Sequence, residues 1–168
     1  MNTRRYRLLA LALGLILIAS PAVSFAAITG RIVENKGVKT ARLGLHDSTD
    51  RKRIGGTYKK TVDKSYAGQT VYKYMFGSKS KSTHKYGLEM YSKANHHVFT
   101  FIIYSTRLKT SNGTHVGNSE AILVQRYGSR ITKQTTPTWV YYYMETSSGR
   151  TEFWVRSGKV HHIVIARY

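Results

Sequence analysis

Seven histidines, eight carboxylates and a dense set of aromatic residues are the parts of this 168-residue chain that could do chemistry. Cleaving a phosphodiester takes a histidine or carboxylate base, a histidine acid and a cation on the phosphate. A small basic ribonuclease would have to draw these from His162 or His97, Glu145 or Glu152, and Arg156. Nothing in their spacing places them together. Two histidine pairs are adjacent, His96-His97 and His161-His162. Both fall in strand-like runs, where neighbouring side chains point to opposite faces. Neither pair is therefore expected to work through both members. No spacing of histidine and carboxylate matches a known metal-ligand set. Cysteine is absent, which excludes disulfides, thiolate nucleophiles and Cys-ligated zinc. The expectation is a chain with no catalytic residue, no metal and no cofactor.

Thirteen tyrosines and two tryptophans are the richer signal. In extended chain, alternate residues share a face. Tyr72 pairs with Tyr74 in this way, Trp139 with Tyr141 and Tyr143, and Trp154 with Arg156. Rigid rings with polar tips, set beside arginine, make good contact surfaces. Tyr72, Tyr74, Trp139, Tyr141, Tyr143, Trp154 and Arg156 are accordingly the expected binding residues. An antiparallel sheet can pack one face and leave the other to solvent. A register slip of one residue would exchange the two faces.

Charge narrows the partners. Lysine and arginine total 27 against 8 acids, a formal charge of +19, which favours an acidic protein or an anionic envelope polymer. The densest groups, Arg51-Lys52-Arg53, Lys59-Lys60 and Lys79 with Lys81 and Lys85, are scattered along the chain. Charge alone would admit nucleic acid, for which the sequence carries no motif.

The start of the chain reads as an export leader rather than as part of the fold. Arg4, Arg5 and Arg7 precede an apolar run from Leu8 to Ile18, and Pro21 leads to Ser24-Phe25-Ala26. That is the pattern of a signal peptide cut after Ala26. The run is short of the roughly 20 apolar residues a membrane span requires. With no cysteine to take a lipid, the expected product is secreted or envelope-associated, without a transmembrane anchor after cleavage.

The elements that must position the aromatic residues follow from capping and periodicity. SEAILVQRYG (119–128) has Ser119 to cap a helix and Gly128 to stop it. TWVYYYM (138–144), TEFWVR (151–156) and VHHIVIAR (160–167) are rich in aromatic and β-branched residues and are separated by SSG and SGK turns. A similar order occurs earlier: a short helix capped by Ser48 and ended at Gly55-Gly56, then strands at 70–76, 86–92 and 97–105. Only Ile54 gives that first helix an apolar contact, unless the chain continues helically to Tyr58 or Val62. The reading is an α+β fold of two tandem units, each a short helix packed on a three- to four-stranded antiparallel meander. After the leader (1–26), the units are 27–111 and 112–168. They must share a core, since neither can bury its sheet face alone.

The second unit resembles a pattern found, often twice, in small exported bacterial proteins: G-I-x-V-G-D-S-x-x-x-V-x-x-x-Y-G followed by F-x-V-x-N-G-K-V-x-x-I. NGTHVGNSEAILVQRYGS (112–129) and TEFWVRSGKVHHIVI (151–165) carry it through Gly117, Ser119, Val124, Tyr127, Gly128, Phe153, Val155, Gly158, Lys159, Val160 and Ile163. The first copy, TARLGLHDSTDRKRIGGTYKK with HHVFTFIIYSTRLKTSNG, is looser. The resemblance implies an architecture similar to the tandem β-lactamase inhibitor proteins and to small outer-membrane-assembly lipoproteins, both of which work by binding protein. The expected function is a secreted, noncatalytic, inhibitor-like binding protein held at an anionic envelope. The alternatives are a small secreted hydrolase such as a ribonuclease, and a wall-polymer or anionic-lipid binder acting by charge.

Overall fold

The computed structural model describes residues 28–66, 69–80 and 85–167; the expected leader and its cleavage site lie outside them. The chain opens with three short strands, β1 (Gly30–Val33), β2 (Gly37–Val38) and β3 (Ala41–Arg42), and then the helix α1 (Asp47–Ile54). Four strands follow: β4 (Tyr58–Tyr66), β5 (Gln69–Phe76), β6 (Leu88–Lys93) and β7 (Val98–Ile103). After β8 (Leu108–Lys109) come the helix α2 (Glu120–Tyr127), a 3-10 turn (Gly128–Arg130) and the strands β9 (Thr132–Thr135), β10 (Val140–Thr146), β11 (Gly149–Arg156) and β12 (Lys159–Ala166).

These form two sheets, one of four strands ordered β3-β2-β1-β8 and one of eight ordered β4-β5-β6-β7-β12-β11-β10-β9. In the small sheet β1 pairs antiparallel with β2 and parallel with β8. The close approach at its first turn requires glycine, because a Cβ on Gly37 would lie 2.0 Å from the Ala41 carbonyl oxygen. The large sheet is antiparallel throughout, with β7 and β12 meeting at its middle.

The expected α+β fold of two tandem helix-plus-meander units is corrected by this architecture. The described residues are mostly β, and the two α-helices among them have eight residues each. Eight residues make a helix only about 12 Å long, too little to cover an eight-stranded sheet. Much of the cover comes instead from the small sheet, whose Ile32, Val38, Ala41 and Leu108 are fully buried in one core with Tyr74, Phe76, Phe101, Ile103, Phe153 and Ile163. Three of the four strands in that small sheet have two residues each, below the length at which sequence periodicity can be read. The edge strands β4 and β9 were also outside the expectation. Edge strands face water and carry few apolar residues, as in the all-exposed TKQT of β9.

Helix α2 forms where expected: the Ser119 hydroxyl accepts from the Ile122 N–H at 3.3 Å, and Gly128 follows the last turn at φ 52°. Its buried positions are Leu123 and Tyr127, one turn apart, while Val124, a residue of the resemblance, is 41% exposed. The Tyr127 hydroxyl donates to Glu34 at 3.0 Å and its ring packs on Phe153 at 4.9 Å, linking both sheets.

Helix α1 is capped by His46, whose Nδ1 accepts from the Ser48 N–H, so the cap lies two residues before the expected Ser48. With Ile54 its one buried apolar residue, it is anchored through carboxylates. Asp47 Oδ2 accepts from Tyr74 Oη at 2.6 Å and Ser92 Oγ at 2.9 Å, and pairs with His96 Nδ1 at 2.9 Å. Burial alone would raise the Asp47 carboxyl; the hydrogen bonds from Tyr74, His96 and Ser92 outweigh it and hold it below its ordinary value. Asp50 accepts from the Arg42 N–H at 3.1 Å, but its second oxygen has no hydrogen-bond partner among the described residues.

Burial pushes the Asp50 carboxyl up to about 6, against the opposing pull of the Arg42 N–H, Arg53 and Arg42. The folded state thus holds this proton more tightly than the unfolded chain, and stability falls as pH rises from about 4 to about 6. Asp50→Asn keeps an oxygen for the Arg42 N–H and removes the buried charge. It is expected to gain about 1–2 kcal/mol near neutral pH and almost nothing near pH 4; urea unfolding at both pH values checks this.

Candidate functional site

The large sheet has two faces. One packs on the helices and the small sheet. Pairing register places Trp154 of β11 between Tyr141 of β10 and His162 of β12 on the other. These three rings stack, Tyr141 on Trp154 at 4.7 Å and 16°, Trp154 on His162 at 5.5 Å and 13°. The row continues to Tyr143 at one end, 6.2 Å from Tyr141, and to Tyr104 at the other, 5.6 Å from His162. Trp139 closes over it, edge-on to Trp154 at 5.9 Å and to His162 at 5.5 Å. Five rings thus run across β10, β11 and β12 to the end of β7, each pinned by a neighbour.

Cations flank the row. The Arg150 guanidinium lies 3.9 Å from the Tyr143 ring centre, and that of Arg156 is 5.5 Å from Trp139. Glu152 is tucked beneath: it accepts from Trp154 Nε1 at 2.7 Å and pairs with Arg150 Nε at 3.0 Å. The indole is thereby held by its polar tip as well as by its faces.

Of the expected binding residues, the structure brings together Trp139, Tyr141, Tyr143, Trp154 and Arg156. Tyr72 and Tyr74 are on the opposite face. Tyr74 is wholly buried on Asp47, and Tyr72 lies flat on His96 at 4.8 Å, with Lys60 Nζ 4.2 Å above it. Their strand has the expected alternation; its phase against the helices decides the face, and one strand alone does not reveal that. The ladder members that sequence reading missed are His162, Tyr104 and Arg150. Tyr104 is separated from His162 by 58 positions in the chain numbering, and only the pairing of Ile103 with Ile163 brings them together.

The adjacent histidines require a correction. Between Trp154–His162 and Val155–Val160 the register shifts, leaving His161 as the extra residue of a β-bulge. A bulge breaks the two-residue alternation, and the rings of His161 and His162 meet with their Nδ1 atoms 2.9 Å apart. One Nδ1 must donate and the other accept, so at least one of the two rings is neutral in this contact. Burial first, then His161 and Lys85, push His162 down to about 4. Burial, Arg156 and Lys85 lower His161. His96, by contrast, sits in a turn at φ 63°, where its ring turns to Asp47 while that of His97 turns to the Gly44 carbonyl at 2.8 Å.

Beyond the ladder, a cleft of about 520 Å³ opens where the ends of β5, β7 and β11 meet the starts of β6 and β12. Lys85, Arg107, Arg156 and Lys159 line it together with His161 and Tyr104. Glu145 and Glu152, the acids that a hydrolase would draw on, are not among its lining residues. Among the described residues, the cluster that could hold a metal ion is His46, Asp47 and His96, whose ligand atoms lie within 4.8 Å of one another. There Asp47 Oδ2 already has three partners and Arg51 stands 3.5 Å from Oδ1. The cluster anchors α1.

No protein-family model matches the sequence, and no curated protein matches it. Among solved structures, the uncharacterized protein yfeY from Escherichia coli is similar, with a TM-score of 0.52 at 11% identity; the match covers 83% of this chain and 99% of that one. The likeness is one of fold alone. Among the described residues no helix is long and apolar enough to cross a membrane.

Because the folded His162 ring binds its proton more weakly than an unfolded one, stability attributable to it is lost as pH falls from about 6.5 towards about 4. Side-chain NMR is expected to show the His162 ring neutral at pH 5. Protonation near the ordinary histidine value would mean that the ring is not held in the stack.

Proposed function

We propose that this chain is an exported, noncatalytic binding protein that takes an acidic protein partner on the aromatic face of its large sheet. The observation that carries this reading is the pinned row Tyr143, Tyr141, Trp154, His162 and Tyr104 with Trp139 over it. Rings already fixed by their neighbours lose little freedom on binding, so their contact area goes largely into affinity. Arg150 and Arg156 at the flanks supply charge-assisted hydrogen bonds for carboxylates on the partner. The chain's formal charge of +19 speeds encounter with an acidic surface and repels basic ones.

The placement of Glu145 and Glu152 outside the lining of the cationic cleft supports the same reading. Export rests on the leader-like segment 1–26, and retention at an anionic envelope on net charge. A wall-polymer binder acting by charge alone is the reading that salt separates from this one.

The experiment is capture from envelope and culture-supernatant fractions, at low salt and then at about 1 M salt. A partner that stays bound at high salt is expected, with affinity weakened about thirtyfold by Trp154→Ala, as for a central aromatic contact. Tyr72→Ala, on the other face, is expected to leave binding unchanged. Retention that disappears with salt and ignores Trp154→Ala would leave charge as the whole explanation.

A further inference from the structure

The cleft beside the ladder is a second feature with its own chemistry. It is built from segments far apart in the chain: 77–80 and 85–87 between β5 and β6, 104–107 after β7, 116–117 before α2, and the β11–β12 hairpin. Each of the last three structured pieces is fixed by backbone bonds. The Tyr104 and Ser105 N–H groups both donate to the Gly87 carbonyl, at 3.0 and 2.9 Å, and Gly117 N–H donates to Val160 O at 2.8 Å. Arg156 and Lys159 face each other across a tight two-residue turn, with Ser157 at φ 50° and Gly158 at φ 69°. Those three pieces are therefore held in place before any ligand arrives.

The lining carries four cations and no carboxylate. Arg107 and Lys159 have no ion-pair partner among the described residues, and Arg156 rests on the Trp139 ring. Positive charges gathered from three segments repel one another unless an anion joins them. A single carboxylate is satisfied by one forked arginine, whereas two arginines and two lysines match a group with two negative charges and several acceptor oxygens. His161 adds a further group. Its Nδ1 is taken by His162, which leaves Nε2 directed away from that contact on a ring lining the cleft. The same cations disfavour a metal ion at the paired imidazoles.

We propose that this cleft binds a phosphate group carried on a small organic body, held by Arg107, Arg156, Lys159 and Lys85, with His161 Nε2–H as an additional donor when His162 Nδ1–H donates to His161 Nδ1. The volume, about 520 Å³, is in the range of small-molecule sites and exceeds what a bare phosphate fills. Ile28, Val116 and Val160 provide an apolar wall for the rest of the ligand. This goes beyond the protein-binding face: Tyr104 and Arg156 border both, whereas Arg107 and Lys159, whose double variant is the test, take no part in the ladder.

The test is calorimetric titration of the protein at about 0.15 M salt with three probes: inorganic phosphate, phenyl phosphate, and phosphatidylcholine vesicles containing phosphatidylglycerol. Saturable binding of at least one probe is expected, weakened about tenfold or more by the double variant Arg107→Gln/Lys159→Gln. Both side chains are exposed, so the double variant is expected to fold, and unchanged thermal unfolding verifies it. Lys52→Gln/Lys93→Gln removes the same charge from α1 and from the far end of β6, and should leave binding within about twofold. His161 ring signals should shift on addition of the binding probe. Preference for phenyl phosphate over phosphate would mean that the organic body is recognised; response to vesicles alone would mean a lipid headgroup. Absence of saturable binding by all three probes, or equal losses in the two double variants, would overturn the proposal.

Discussion

The pairing of β7 with β12 is the constraint on which the rest of the structure depends. Four residues on each strand join the two four-stranded meanders into one sheet, with Ile103 opposite Ile163 and Phe101 opposite Ile165. On one face this seam sets four fully buried apolar side chains at the centre of the core. On the other it sets Tyr104 beside His162 and so completes the aromatic row. The cleft lies at the same seam, between the end of β7 and the start of β12. A shift of one residue would send the isoleucines outward and break all three features together.

The two helices are held to that sheet by different physics. Helix α2 buries Leu123 and Tyr127 in the ordinary amphipathic way. Helix α1 buries Asp47 and Asp50 with Ile54, so its position depends on donors supplied by β5, β6 and the turn that follows. Tyr74 donates its hydroxyl to Asp47 and forms part of the core with its ring. That dual role explains why a tyrosine stands in the most buried part of β5. Anchoring by carboxylate is directional, and it fixes α1 where apolar contact alone would let so short an element slide. The two acids differ: Asp47 has its charge satisfied, while Asp50 keeps an oxygen with no hydrogen-bond partner among the described residues and so costs stability when ionised.

The β-bulge at His161 connects the ladder to the cleft. Without it, His161 and His162 would project from opposite faces, one into the core and one into the aromatic row. With it, both rings lie on the same side, one closing the stack and the other lining the cleft. A local irregularity of one residue thus gives the sheet both a flat contact surface and a charged recess at its end.

Much of the local structure was legible in the residues themselves. Ser119 and Gly128 delimit a helix because cap and stop are chemical properties of single side chains. TEFWVR and VHHIVIAR read as strands because β-branched and aromatic residues favour extended chain. The grouping of Trp139 with Tyr141 and Tyr143 followed from the two-residue period alone. The mostly-β architecture that replaced the expected α+β fold, the small sheet, the phase that turned Tyr72 and Tyr74 inward, the bulge that turned His161, and the cleft were decided only in the tertiary structure. Each depends on which strand lies next to which, and in what register. Those choices minimise exposed apolar surface over the whole molecule, a sum to which residues more than a hundred positions apart contribute, as Ile32 and Phe153, both fully buried in one core, illustrate. Chain composition sets the charge and the supply of rings; pairing sets where they meet.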